Sequence, residues 1–375
     1  MSIETRPADS GAGTSAPTKL RVIDTDVHHG FFEEMDLLPY VPEEHRERFE
    51  MYGLYPRTEL FQNNGGYRGG RADLAYDDPS IPVDGRERSV DRCRRGLLDE
   101  GEIDIAILTG GQMSPASSAP DSRYASVLCR EFNEWSLEPW VAEDDRFRLA
   151  LTVCANDPQG AVEEIERVAG DPRIVCVQFP CGSPRPYGNP MYHPILEACA
   201  RSGLPIQLHL GNEGGGINPP MTAAGFPTHY IERRIAEPSF YTPHLASFIF
   251  EGVFEMWPDL KLVLAETGIP WVPAYVWRMD ASWKGLRHQV PWVKKLPSEY
   301  FRKNVRLTTQ PVDEFDGDPE TFRTILDWMD GEDTLMYASN YPHFDWDEPH
   351  ETARMFPKEM REKIMYKNAE AVYRF

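Results

Sequence analysis

The chain has 375 residues, of which 41% are hydrophobic and 26% charged, and it carries a formal charge of -21. That composition is ordinary for a globular protein, and a surface so acidic repels nucleic acid and anionic membranes, which argues against both as partners. Six cysteines without a C-x-x-C pair read as buried thiols, not a disulfide framework or a thiolate zinc site, and no apolar run approaches membrane-spanning length.

Residues 1–19 are polar and rich in Ser, Thr, Ala and Pro, with no apolar core of a signal peptide. They predict a disordered tail on a cytoplasmic protein. The first strand is RVIDTDV (21–27), and it breaks into the carboxylates and imidazoles of VIDTDVHHGFF. Residues 30–87 then form a connection of roughly sixty residues, far longer than ordinary loops. This segment contains MYGLYPR and FQNNGGYRGGR and predicts a lid or insertion over the site. Arg68 and Arg71 within it are candidates to receive an anionic group, or are solvated loop charges.

Beyond the insertion, short apolar runs alternate with helical patterns. Strands are expected at 103–109, 147–153, 174–179, 205–210, 260–266, 304–309 and 334–339. Helices are expected at 88–100, 124–140, 160–169, 192–202, 241–257, 319–329 and 357–373. Strands buried on both faces and separated by helices pair in parallel. About eight such units over 20–375 predict an α/β fold, a TIM-type (β/α)8 barrel with a long insertion after strand 1. A doubly wound sheet is the alternative, but no G-x-G-x-x-G follows the first strand.

The functional face of such a barrel is the carboxyl end of its strands. The first strand brings Asp26 and His28 there, and the fifth brings His209, followed by Asn212 and Glu213. The sixth contributes Glu266, and the eighth contributes Asn340 and His343. Residues two apart on a strand share a face, so Asp26 and His28 can hold one ion together, with His209 and Glu266 closing it from across the barrel. Nitrogen and oxygen donors without thiolate suit zinc, iron or manganese. His29, one step out of phase, is expected to face the barrel wall. His244 either reaches the mouth or caps a helix, and His45, His193, His229, His288 and His350 read as structural. Phe31, Phe32, Tyr67, Trp271, Phe344 and Trp346 cluster near strand ends and favour an apolar or ring-containing small molecule. A homo-oligomer is compatible with the sequence.

The motifs VIDTDVHH, LLDEGEID, IQLHLGN, GVFEMWPDLKLVLAETGIPWVPA and LMYASNYPHFDWDEP resemble landmarks of the amidohydrolase superfamily. The likeness is to the amidohydrolase-related branch that includes aminocarboxymuconate semialdehyde decarboxylase and benzoate-type decarboxylases. It spans residues 20–375 and implies a metal-binding (β/α)8 barrel. The chain is also similar to a non-haem diiron monooxygenase of platensimycin-type diterpenoid biosynthesis built on the same barrel.

Three positions depart from the pattern that the resemblance implies. Asp26-x-His28 stands where His-x-His is usual, Glu266 replaces a histidine after strand six, and Asn340 replaces the metal-binding, proton-moving aspartate. An amide is not a base, which removes the usual hydrolytic route. The leading expectation is therefore a dinuclear non-haem iron monooxygenase of antibiotic biosynthesis. It would use Asp26, His28, His209 and Glu266 as ligands, with Asn340 and His343 shaping the reaction of an apolar, terpenoid-type acid or thioester. The alternative is a zinc or manganese hydrolase or decarboxylase of a cyclic or aromatic acid, with His343, Glu213 or His244 replacing the missing base. A non-catalytic binding barrel is a third class, against which the intact Asp26, His28, His209 and Glu266 speak.

Overall fold

A computed structural model describes residues 20–30, 34–54, 90–312, 318–343 and 345–375. Eight parallel strands follow one another in chain order around a single sheet. They are β1 (Ile23–His28), β2 (Ile105–Thr109), β3 (Phe147–Thr152), β4 (Ile174–Pro180), β5 (Ile206–His209), β6 (Leu262–Leu264), β7 (Val305–Thr308) and β8 (Leu335–Met336). The last strand returns to the first through Thr25 N to Tyr337 O (3.0 Å), Asn340 N to Asp26 O (3.1 Å) and His28 N to Tyr341 O (2.7 Å). This is the TIM-type architecture that the alternation of apolar runs and helical patterns predicts.

Helices cover the outside because their apolar residues recur at helical spacing. In Ser122–Ser136, Ala125, Leu128, Cys129, Phe132 and Trp135 are buried, and Asp121 caps the first turn by accepting from Tyr124 N. In Pro158–Val168, Ala161, Ile165 and Val168 are buried and Asp157 caps through Gly160 N. Inside the barrel, Ile23, Ile105, Ile107, Val263 and Met336 form a separate apolar cluster with Tyr373. Tyr373 donates to Gln207 Oε1 at 3.0 Å beneath the strands. The interior is thus packed with side chains, which leaves the carboxyl ends of the strands as the place for chemistry.

One local irregularity decides what reaches that end. Strict alternation from Ile23 would carry Thr25 and Val27 into the barrel. Instead Ile23 packs in the interior cluster while Val27 packs in the outer one, and the β1–β2 register shifts between Asp24 and Val27. A bulge re-aims the following side chains. Here it reverses the phase so that Asp26 and His28 point inward together.

The structure adds helices that periodicity alone did not suggest. The longest is Trp271–Leu286, which begins WVPAYVW. Pro273 makes that stretch read as a turn, but it falls in the first turn, where backbone N–H groups have no intrahelical acceptor and proline is tolerated. Within the expected insertion, Glu43–Tyr52 is helical and packs on Ser122–Ser136, with Arg48 3.7 Å from the centre of the Tyr124 ring. The remainder of that insertion, 55–87, lies outside the described residues, as do Phe31, Phe32, Tyr67, Arg68, Arg71 and Phe344.

Candidate metal centre and barrel mouth

Among the described residues, Asp26, His28 and His209 form a buried group whose ligand atoms all lie within 4.8 Å of one another. His209 Nδ1 donates to Leu210 O at 2.7 Å, which turns Nε2 inward, 3.0 Å from Asp26 Oδ2. His28 Nε2 is 3.8 Å from Asp26 Oδ1, and that oxygen also accepts from Thr109 Oγ1 at 2.8 Å. Burial works against the Asp26 carboxylate, but the facing His209 and His28 and two hydrogen bonds hold it well below the usual range. Burial likewise disfavours a charged His209, yet Asp26 and Glu266 push its imidazole up to about 10. In the metal-free protein the two form an ion pair. His209 would have to give up that proton to hold a divalent cation, so metal uptake would release a proton. One carboxylate and two imidazoles, buried and pre-oriented, fit manganese or zinc.

Glu266 stands at the edge of this group. Its Oε2 is 3.6 Å from His209 Nε2, while Oε1 accepts from Asn340 Nδ2 at 3.2 Å and lies 3.8 Å from Arg234 Nη1. Burial raises the Glu266 carboxyl to about 7, partly opposed by His209. Its backbone is left-handed, with φ 57°, as are Asn212 (61°) and Asn340 (63°). Asparagine tolerates that region; a glutamate there costs about 1 kcal/mol or more, a strain that recurs at functional sites.

Asn340 joins the mouth together. Its Oδ1 accepts from His343 Nδ1 at 2.7 Å, and its Nδ2 also approaches Asp345 Oδ1 at 3.4 Å. Flipping the amide would set its oxygen against two carboxylates, so the network assigns oxygen toward His343. The His343 ring lies against His28, with centroids 4.1 Å apart and planes tilted by 32°. Arg234 ties the assembly down through Asp345 Oδ2 (2.6 Å), and Arg233 pairs with Glu237 (2.8 Å) and Glu213 (3.3 Å).

The other expected residues fall outside the centre. His29 bonds Thr109 O (3.2 Å) and Ser136 Oγ (2.8 Å) in the barrel wall. Glu213 accepts from Gly211 N at 2.7 Å. His244 accepts from Tyr187 N (3.1 Å) and donates to Cys181 O (2.9 Å), so both ring nitrogens serve the backbone. Trp271 bonds Thr267 O at 3.0 Å and Trp346 packs edge-on against Tyr341, so both brace loops. Sequence reading missed Thr109, which ends the second strand in register with His28 at the end of the first. It also missed Arg233 and Arg234, which sit on an unforeseen helix, Tyr230–Ala236.

Burial pushes the His244 imidazole down to about 4, below the ordinary value of 6.5 that it has in the unfolded chain. The unfolded chain therefore takes up a proton that the folded protein refuses. The stability supplied by neutral His244 is complete above about pH 6.5 and is lost as pH falls toward 4. His244→Gln should flatten the dependence of Tm on pH across that window. An unchanged slope in the variant would contradict this assignment.

Residues 106–375 match the family model described as Amidohydrolase. A γ-resorcylate decarboxylase from Rhizobium sp. (strain MTP-10005) is 25% identical over 270 residues, covering 66% of this chain and 76% of the relative. Among solved structures, 5-carboxyvanillate decarboxylase from Sphingomonas paucimobilis superposes with TM-score 0.65 at 23% identity, covering 95% of this chain and all (100%) of that one. A dihydroxybenzoic acid decarboxylase from Polaromonas sp. JS666, solved with bound manganese and 2-nitroresorcinol, gives TM-score 0.62 at 21% identity, covering 94% and 97%. These relatives overturn the leading expectation drawn from the sequence. They are decarboxylases, not oxidoreductases, so neither a diiron monooxygenase nor a role in antibiotic biosynthesis finds support, and the decarboxylase alternative does. Iron has no support either, while manganese accompanies a structural neighbour. Among the described residues no helix is long and apolar enough to cross a membrane.

Proposed function

Because the chain belongs to the amidohydrolase family, we propose that it is a metal-dependent decarboxylase of a small aromatic acid. The observation that carries this reading is the buried Asp26–His28–His209 group with the His343 ring in contact with His28. The relatives' activity on hydroxylated benzoates supplies the reaction class.

Loss of CO2 from a ring carbon leaves the electron pair of the broken bond on that carbon, which must then take a proton. Asp26, His28 and His209 are the residues that would hold the metal. Once bound, it supplies positive charge that orients and stabilises the anionic oxygens of the acid. The family's aspartate is Asn340 here and holds no mobile proton, so the proton must travel on another group. His343 fills that role. An amide oxygen can only accept, so His343 keeps its proton on Nδ1 toward Asn340 Oδ1, and Nε2 is the nitrogen that gives and regains the mobile proton. Asn340 is thus a positioning residue that sets the tautomer, itself held by Glu266 and Asp345.

The reading is tested with protein loaded with manganese or zinc and offered 2,6-dihydroxybenzoate and 5-carboxyvanillate among a panel of hydroxybenzoates. The expected result is conversion of at least one ring acid to the corresponding phenol. Absence of decarboxylated product across the panel, with metal occupancy verified, would contradict it.

A further inference from the structure

Between the loops that follow β4 and β5 and the helix Pro238–Phe250 lies a cavity of about 470 Å³. Its inner wall includes Cys181, whose N–H donates to His209 O at 2.7 Å. The cavity therefore abuts the strand end that carries His209, yet Asp26, His28 and His209 do not line it.

Five prolines shape its wall: Pro184, Pro186, Pro219, Pro220 and Pro243. Proline fixes φ and has no N–H, so this wall is pre-formed and poor in donors. Met221 and Phe240 add apolar surface. His244 has both nitrogens engaged by backbone and presents only its ring. Burial pushes the Cys181 thiol up, so it stays neutral.

The polar groups in the wall are mainly acceptors. Each Glu213 oxygen takes one contact, Gly211 N at 2.7 Å and Arg233 Nη2 at 3.3 Å, and retains capacity for another donor. Asn218 donates to Asn212 O through Nδ2 at 2.9 Å, and its buried Oδ1 has no hydrogen-bond partner among the described residues. Arg185 also lines the cavity and is exposed.

Apolar walls with acceptors at the inner end favour a ligand with a flat apolar body and a hydroxyl donor. An anionic end would meet the buried carboxylate of Glu213, which is costly. A cavity of roughly 150 Å³ suffices for benzene, so this one has room for more than one ring. We propose that the cavity binds a neutral, hydroxylated fused-ring molecule, its hydroxyl donating to Glu213 or Asn218. This does not depend on the decarboxylase reading.

The experiment is isothermal titration of the full-length, metal-loaded protein with 2-naphthol and, separately, with 2-naphthoate. The expected result is saturable 2-naphthol binding, with 2-naphthoate at least about ten-fold weaker. Met221→Trp, which fills the cavity, should weaken 2-naphthol at least about ten-fold without changing metal content. Ala223→Trp sits on the exposed rim, where folding is not at risk, and should also weaken it. No saturable 2-naphthol binding, equal affinity for the naphthoate, or affinity unmoved by both substitutions would each overturn the proposal. Decarboxylation of the hydroxybenzoate panel is read separately, so either idea can fail alone.

Discussion

Alanine at position 209 should strip the protein of its metal and abolish turnover while the barrel still folds. His209 Nε2 faces Asp26 at 3.0 Å and Glu266 at 3.6 Å, so its removal takes the central nitrogen donor from the group. Changes to groups that merely orient a ligand cost about 10–100-fold in metal affinity, and loss of a ligand should exceed that. The substitution also leaves Asp26 buried without its main counter-charge. Breaking a buried pair in this way costs about 3–5 kcal/mol unless the carboxylate takes up a proton. The metal-free variant should therefore melt below the metal-free parent. Metal content by elemental analysis and Tm are the two readouts. His45→Ala, on the helix Glu43–Tyr52 and edge-on to Tyr124, should leave metal content alone. Full metal occupancy in His209→Ala would show that the ion binds elsewhere.

His343→Gln should retain metal and lose about 10²–10⁴-fold in kcat, the usual worth of a positioned acid–base group. Glutamine can still donate to Asn340 Oδ1 but has no titrating proton to give the ring carbon. Asn340→Asp tests the partner. A carboxylate still accepts from His343 Nδ1, which preserves the tautomer, but it loses the donation to Glu266 Oε1 and faces Asp345. Because it restores the carboxylate that the family resemblance implies at this position, turnover should be retained or raised. A His343→Gln enzyme with undiminished kcat, or one that loses metal in step with rate, would remove His343 from the proton path.

The barrel was legible in the sequence because buried parallel strands write themselves as short apolar runs, and each of the eight begins or ends within a few residues of its run. The convergence of Asp26, His28 and His209 was legible for the same reason: all three sit where an apolar run stops in polar residues. What periodicity could not express was the bulge in β1, since a one-residue register change leaves no mark in composition. Nor did it express the helix Tyr230–Ala236, whose lack of buried residues gives it no apolar stripe to read. Arg233 and Arg234 were missed with it. His244 looked ambiguous in sequence because position near the mouth does not reveal that both nitrogens are taken by backbone. The reaction class was misjudged because Asn340 was weighed as the loss of a base, and its contact with His343 could not be read from the sequence.

The central claim, decarboxylation without redox chemistry, is tested most directly by comparing turnover with and without oxygen. Protein loaded with manganese or zinc should release one CO2 for each aromatic acid consumed, at the same rate under anaerobic and aerobic conditions. Product formation that requires oxygen and consumes it, with no CO2 released, would contradict the account.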